Sequence, residues 1–139
     1  FLVVDVNVII SAVLGVGNSS KVFELNAREK KFKFFAPEFL YIEINKHTEK
    51  IAKKTKLSQE EVREALKFIM EQIDFIPYEE FKDKFKEAKE SLKEHEKDIY
   101  YLALALKLKC NIFSGDKIFK HLCPGLVKTP KEILEQFNE

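Results

Sequence analysis

Four acidic side chains are the residues whose types and positions could support catalysis. They are Asp5, Glu43, Asp98 and Asp116. Asp5 directly follows the apolar run 1–4, and Asp116 follows the strand-like segment 111–113 after a two-residue turn. Because ligands bind beyond the carboxyl ends of parallel strands in an open α/β sheet, both acids should face the same edge of that sheet.

The other two acids lie on predicted helices. Asp98 begins a helix whose apolar positions, including Leu102, should pack on the sheet, so that its first turn faces the strand ends. Glu43 lies inside an earlier helix between Ile42 and Ile44, at the boundary of the buried face. The positions of the four carboxylates therefore allow them to converge on one cleft.

Converging carboxylates require a compensating positive charge, because each raises the pKa values of the others. Mg²⁺ and Mn²⁺ are hard cations that prefer oxygen ligands and keep several water molecules. A centre of this kind polarises a phosphodiester and activates water. No His and Cys set has the spacing of zinc ligands, and no Gly-rich phosphate loop is present. The pattern therefore predicts a Mg²⁺ or Mn²⁺ site.

Each acid also has a purely structural interpretation. Asp5 could cap the end of a strand, and Asp116 could be a turn residue after Gly115. Asp98 could be a helix N-cap, and Glu43 could be a solvated helix residue. For Asp98 and Glu43 taken singly the structural interpretation is the stronger one. For Asp116 the two interpretations are about equal, and for Asp5, which directly follows four apolar residues, the functional one is favoured. The joint pattern of the four acids favours a functional site more than any single acid does.

The elements that must position these acids alternate between short apolar strands and amphipathic helices. The strands are predicted at residues 1–4, 32–35, 75–76, 111–113 and 126–127. The helices are predicted at 8–12, 20–30, from 38 to beyond 51, and at 59–73, 79–92, 98–109, 117–122 and from 130 onward. This alternation predicts an α/β fold, a three-layer sandwich with a mostly parallel central sheet of about five strands flanked by helices.

Length and composition favour one globular domain over residues 1–139, because no linker, repeat or low-complexity tract divides the chain. The net charge of +1 excludes a strong whole-molecule field for nucleic acid, so local charge must provide any binding site. No apolar run reaches membrane-spanning length, so no membrane partner is expected. Cys110 and Cys123 do not form a disulfide framework, which indicates a reducing, cytoplasmic location.

Several segments resemble the PIN-domain family, the nucleases that include VapC-type toxins. The segments are Val3–Ala12, Pro37–Ile44, Lys97–Ala105 and Asn111–Lys117, with a tail at Lys128–Leu134. The resemblance covers nearly the whole chain and implies a PIN-like fold. It also implies four catalytic residues that hold one or two Mg²⁺ or Mn²⁺ ions, which are Asp5, Glu43, Asp98 and Asp116.

Other residues are expected to support this centre. By resemblance, Asn7 supports Asp5, and the Ser114 hydroxyl lies near the metal or a phosphate. Glu38 competes with Glu43 as the second acid, although it comes directly after Pro37. Two lysines beside the fourth acid are expected to bind the RNA backbone, and they are Lys117 and Lys120.

The resemblance implies an endoribonuclease that hydrolyses RNA phosphodiester bonds with metal-activated water. It leaves open whether the protein is a toxin with an antitoxin partner or a processing nuclease, and a homodimer is plausible by resemblance only. One alternative is a haloacid-dehalogenase-like phosphatase, but that class needs an Asp at the position of Asn7. The other alternative is a non-catalytic RNA-binding or scaffold domain with the same fold.

Overall fold

A sheet of five strands forms the centre of the molecule, and the computed structural model describes residues 1–138. The strands are β1 (Leu2–Val4), β2 (Phe34–Pro37), β3 (Ile73–Ile76), β4 (Asn111–Phe113) and β5 (Val127–Lys128). Their order in the sheet is β3-β2-β1-β4-β5, and every neighbouring pair is parallel. The sheet is thus all-parallel where the sequence predicted a mostly parallel one.

Eight α-helices connect and cover these strands within residues 1–138. They are α1 (Val6–Leu14), α2 (Ser19–Glu29), α3 (Phe39–Lys54), α4 (Gln59–Met70), α5 (Phe85–Leu92), α6 (Glu96–Leu108), α7 (Lys117–Leu122) and α8 (Pro130–Gln136). Helix α6 packs across β1, β2 and β4 and carries α5 on it, whereas α1 packs with α2, α3 and α4. The predicted α/β sandwich is confirmed.

Burial of the central strands explains why their sequences are continuous apolar runs. The three residues of β1 and the four of β2 are all buried, as expected for parallel strands covered on both faces. Phe23 of α2 lies edge-on to Phe34, with ring centroids 5.3 Å apart, and it also packs on Phe113 of β4. These large rings hold the sheet rigid below the strand ends.

The topology creates a crevice at the carboxyl ends of β1 and β4. The chain builds β2 and β3 on one side of β1 and then crosses to place β4 and β5 on the other side. This reversal is the point at which open α/β sheets bind ligands. The register pairs Val4 with Phe113, so the residues that follow them, Asp5 and Ser114, lie opposite each other.

The starts of β2 and β3 each differ from the predicted position by two residues. Strand β2 begins two residues later than expected, at Phe34. The Asn26 side chain accepts from the Phe32 backbone N–H at 2.8 Å and donates to its carbonyl at 3.0 Å, which removes both groups from the sheet. Strand β3 begins at Ile73 because α4 ends at Met70, three residues before its predicted end.

The predicted helix over residues 79–92 is wrong in its first half. Tyr78–Glu80 and Lys82–Lys84 are single 3₁₀ turns, and the α-helix begins only at Phe85. Between the turns, Phe81 has the non-helical angles φ −130° and ψ 7°, and it is only 1% exposed. The buried position of this ring therefore interrupts a segment that the charge pattern of the sequence predicted to be one helix.

Two expectations about the environment of the chain concern helices and thiols. Within residues 1–138 no single helix has both the length and the apolar character of a membrane span. The helices α1 and α2 reach that length and composition only when they are taken together, and the chain bends by 97° between them. Cys110 and Cys123 are both free thiols, as the sequence predicted.

Candidate active site

Asp5 is buried at the end of β1 and is held by Ser114. The Ser114 hydroxyl donates to Asp5 Oδ2 at 2.7 Å, and the two residues are 0% and 4% exposed. This contact follows from the register of β1 and β4. Asp5 occupies the N-cap position of α1, but its side chain makes no capping hydrogen bond. A capping role therefore does not explain the buried carboxyl.

Asn7 and Ser114 tie the end of β1 to the loop after β4. Asn7 Nδ2 donates to Ser114 Oγ at 3.3 Å, and Asn7 Oδ1 accepts from the Gly115 backbone N–H at 3.1 Å. The Asp116 N–H also donates to Ser114 Oγ, at 3.1 Å. The two residues predicted to support the acids therefore join both strand ends into one hydrogen-bonded unit.

Asp116 caps a helix with one carboxylate oxygen and leaves the other oxygen without a hydrogen bond to the described residues. It is the N-cap of α7, where Oδ1 accepts from the backbone N–H groups of Ile118 at 2.9 Å and Phe119 at 3.2 Å. The second oxygen, Oδ2, has no hydrogen bond to residues 1–138, and the side chain is half-buried. The N-cap contacts thus fix the carboxylate while leaving one oxygen to face the crevice.

Glu43 is buried in α3, although a helix acid is normally solvated. It is 6% exposed, and the Tyr101 hydroxyl donates to its Oε1 at 2.5 Å. Glu38, the competing acid, is exposed at the N-cap position of the same helix and makes no capping hydrogen bond. The geometry therefore favours Glu43 over Glu38 as the second acid.

Asp98 lies in the first turn of α6, as its third residue, and is not the N-cap. The helix begins at Glu96 with His95 as N-cap, so the predicted boundary was two residues late. The Asp98 backbone N–H donates to the His95 carbonyl at 3.1 Å, whereas its half-buried carboxylate has no hydrogen bond to the described residues. The N-cap interpretation of Asp98 does not hold, and its side chain is left for another role.

Mutual repulsion links the four carboxylates electrostatically. Burial raises the pKa of Asp5 to about 7 against the hydrogen bond from Ser114, and Asp98, Glu43 and Asp116 raise it further. Burial also raises the pKa of Asp98 to about 6, with repulsion from Asp116 and Glu43. These are the expected consequences of like charges in a poorly solvated crevice.

Positive side chains border the cluster. Burial raises the pKa of Glu43, and the Tyr101 hydrogen bond and the charges of Lys97, His47 and Lys46 oppose that rise. Lys97 also lines an open groove of ≈ 410 Å³ together with Asp98 and Asp116. This groove gives solvent access to the acids from the side of α6.

The two lysines predicted to bind RNA have different surroundings. Lys117 is exposed at the first position of α7, directly after Asp116. Lys120 Nζ instead donates to Glu132 Oε1 at 2.6 Å and to the Val127 carbonyl at 2.9 Å. Since its ammonium group is already held by α8 and β5, we retain the RNA-contact role for Lys117 only.

The donor set fits a hard divalent cation by its chemistry. One carboxylate oxygen of Asp5, Glu43 and Asp116 is bound to a protein donor, and the other has no hydrogen bond to residues 1–138. No cluster of three or more potential ligands in that part of the chain is tight enough to bind an ion through all members at once. Mg²⁺ needs only one or two direct carboxylates because it keeps its waters, so the arrangement suits it.

Some residues of the site could not be found by inspecting the acids alone. Tyr101 lies three residues after Asp98 and therefore shares its helix face, but an apolar sequence context indicates only core packing. Lys46 and His47 follow Glu43 by three and four residues, and the same helical spacing would have placed them beside it.

Comparison with known proteins gives a family and a fold. The profile described as the PIN domain matches residues 3–136. The structure of VapBC2 from Rickettsia felis, bound to a DNA fragment from its promoter, superposes with a TM-score of 0.67 at 13% identity, covering 92% of this chain and 97% of that one. A toxin–antitoxin complex from Klebsiella pneumoniae gives a TM-score of 0.63 at 18% identity, covering 94% and 98%. No curated protein matches the chain in sequence.

Proposed function

The chain belongs to the PIN-domain family, and from this premise we propose that it is an endoribonuclease that depends on Mg²⁺ or Mn²⁺. One observation carries the proposal. Four carboxylates meet at the topological switch point of the sheet, and three of them have one oxygen held by the protein and the other left open. Such preorganised acids cost stability unless a cation binds them.

The proposed metal site consists of the four acids Asp5, Glu43, Asp98 and Asp116, of which one or two would bind the ion directly and the others through its water molecules. When bound there, Mg²⁺ or Mn²⁺ would polarise the phosphodiester, activate the attacking water and neutralise the charge that develops on the phosphate oxygens. Ser114 and Asn7 would hold Asp5 and the loop of Asp116 in fixed positions through the hydrogen bonds described above. That rigidity lets the acids keep their spacing while the substrate changes geometry.

The substrate class follows from the charges around the open groove. Lys117 is exposed beside Asp116, and the charges of Lys97 and Lys46 oppose the burial-driven rise in the pKa of Glu43. In this proposal the three ammonium groups contact backbone phosphates of RNA on either side of the cleaved bond. Phosphate contacts position the strand and carry no base specificity, so the preferred RNA sequence must depend on other residues.

The test is cleavage of a labelled mixed-sequence RNA with Mn²⁺ and with EDTA. Asp5→Asn and Asp116→Asn should each abolish cleavage and keep the fold, because the amide fills the same space without the charge. The matched control is Asp74→Asn, which removes a mostly exposed acid of β3 whose ion pair with Lys33 spans 3.9 Å. Undiminished turnover in either site variant would contradict the assignment.

The alternatives predict other results. A non-catalytic RNA-binding domain would bind RNA but leave it intact under every metal condition. A haloacid-dehalogenase-like phosphatase would hydrolyse p-nitrophenyl phosphate, for which Asn7 would have to act as an acid. Both polar atoms of the Asn7 amide are engaged with Ser114 and Gly115, which argues against that role.

We also propose an antitoxin as the protein partner. The support is that both solved structures with this fold described above are toxin–antitoxin assemblies. Expression of the chain alone should then arrest growth, and co-expression of the neighbouring gene should relieve the arrest. A homodimer is part of the same proposal, and sedimentation of the purified chain would test it.

A further inference from the structure

We propose that Tyr101 is a positioning residue that fixes the Glu43 carboxylate in the orientation in which its free oxygen faces the metal. This inference rests on the proposed function and deepens it. The Tyr101 hydroxyl donates to Glu43 Oε1 at 2.5 Å, and Oε2 has no hydrogen bond to residues 1–138. One oxygen is therefore held while the other remains open.

The need for such a residue follows from the elements that carry the acids. Asp5 and Asp116 follow paired strands and are joined through Ser114. Glu43 and Asp98 lie on α3 and α6, which no sheet hydrogen bond connects. Tyr101 is one turn after Asp98 on α6, and its bond to Glu43 is the one side-chain hydrogen bond between these helices among residues 1–138. It therefore sets the position of one helix acid relative to the other.

Packing alone does not require the hydroxyl. The helices α3 and α6 are already held together by the rings of Phe39 and Tyr100, which stack with centroids 4.1 Å apart and planes 9° from parallel. Tyr101 itself is 1% exposed, so a phenylalanine would fill the same space. A buried hydroxyl is costly unless it is hydrogen-bonded, and here its partner is an acid of the site.

The protonation state of Tyr101 suits a donor. Burial and the negative charges of Glu43 and Asp5 raise the pKa of the phenol far above its ordinary value. The raised pKa favours the neutral phenol, which is the form that carries the donated hydrogen. A carboxylate partner makes this bond charge-assisted, which strengthens its hold on the orientation.

The experiment compares Tyr101→Phe with Tyr100→Phe and the unmodified chain by calorimetric titration with Mn²⁺ in the absence of RNA. We expect Mn²⁺ to bind Tyr101→Phe about ten-fold or more weakly, as for other partners that orient metal ligands. Tyr100→Phe is matched because its hydroxyl makes no hydrogen bond within residues 1–138, and its affinity should stay unchanged. In cleavage assays, excess Mn²⁺ should restore kcat of Tyr101→Phe, with KM for RNA unaltered.

A double-mutant cycle with Glu43→Gln separates positioning from structural damage. If Tyr101 acts through Glu43, Tyr101→Phe should not weaken Mn²⁺ binding further when Glu43 is already Gln. An equal loss in both backgrounds, or unchanged affinity in Tyr101→Phe, would overturn the inference. If the unmodified chain binds Mn²⁺ and cleaves RNA, such a result leaves the proposed function standing. If it binds no Mn²⁺, both proposals fall together.

Discussion

At the scale of single residues, Asp5 is the most deeply buried of the four acids. It combines near-complete burial with three carboxylate neighbours and a single hydroxyl donor. Burial and repulsion both disfavour its ionised form, and one hydrogen bond offsets only part of that cost. An ionised Asp5 is therefore a source of instability that a bound cation would remove, and this would link the proposed catalysis to folding.

The stability of the protein without metal should fall as pH rises from about 4 to about 7. The pKa of Asp5 is about 7 in the fold and 3.8 when unfolded, so in this window the folded state holds a proton that the unfolded chain has lost. Each pH unit then costs at most about 1.4 kcal/mol from this group. In thermal melts with EDTA, the melting temperature of Asp5→Asn should rise relative to that of the unmodified chain as pH increases from 5 to 8.

A bound metal ion should counteract this loss of stability at higher pH. Mn²⁺ should raise the melting temperature of the unmodified chain more at pH 8 than at pH 5, because protons on Asp5 and Asp98 compete with the ion. The same addition should have little effect on Asp5→Asn. A stabilisation by Mn²⁺ that is equal at both pH values would show that the ion binds elsewhere.

What the sequence predicts at this scale depends on the type of position. Asp5 was predictable because an acid directly after four apolar residues has few structural uses. Tyr101 was not predictable, because a tyrosine between apolar neighbours has the same pattern whether its hydroxyl meets water or a buried carboxylate. Its role depends on the contact with Glu43, which is 58 residues away in the chain.

At the scale of elements, the segment after β4 is held by an ion pair between α7 and α8. Lys120 of α7 contacts Glu132 Oε1, which also accepts from the Thr129 backbone N–H at 3.2 Å as part of a capping box. The Lys120 hydrogen bond and the capping contacts lower the pKa of Glu132 to about 2. Asp116 is the N-cap of α7, so this pair anchors the helix that follows the fourth acid.

Lys120→Met should therefore act on stability and Lys117→Met on RNA binding. Loss of the Lys120 contacts should lower the free energy of unfolding by about 1 kcal/mol at pH 7, since the ion pair is partly exposed. The difference should vanish as pH falls from about 4.5 toward 2 and Glu132 becomes protonated. Chemical denaturation measures the first effect, and fluorescence anisotropy with labelled RNA measures the second. Weaker RNA binding by Lys120→Met at unchanged stability would reverse the assignment.

The boundaries of the elements were predictable where local signals decide them. The capping boxes at Ser58 and Thr129 formed as their sequences indicate. Boundaries were missed where a tertiary contact decides them, as for the start of β2, where the Asn26 side chain takes the backbone groups of Phe32. The break at Phe81 is of the same kind, because its ring is almost completely buried and packs edge-on against Tyr78.

At the scale of the whole molecule, the alternation of strands and helices predicted the fold class but not the order of the strands. Two acids that follow β1 and β4 meet only if these strands are neighbours, and their separation of more than 100 residues gives no sign of that. The resemblance to the PIN domain provided the arrangement that physical pattern alone left open.

The whole-molecule charge leads to a further expectation about RNA binding. A net charge of +1 means that attraction to RNA arises from a few local lysines, here Lys46, Lys97 and Lys117. With about three phosphate contacts, the logarithm of the binding constant should fall with the logarithm of salt concentration with a slope of about −2. The Asp5→Asn background in EDTA prevents cleavage during the measurement.

Removing one contact should change that slope by a defined amount. Lys117→Met should make the slope about 0.7 less negative, because one fewer counterion is released from single-stranded RNA. The control is Lys33→Met, since Lys33 precedes β2 and so lies at the opposite edge of the sheet. A slope that is unaltered in Lys117→Met, or altered equally in both variants, would mean that RNA follows a path across the molecule other than the groove beside the four acids.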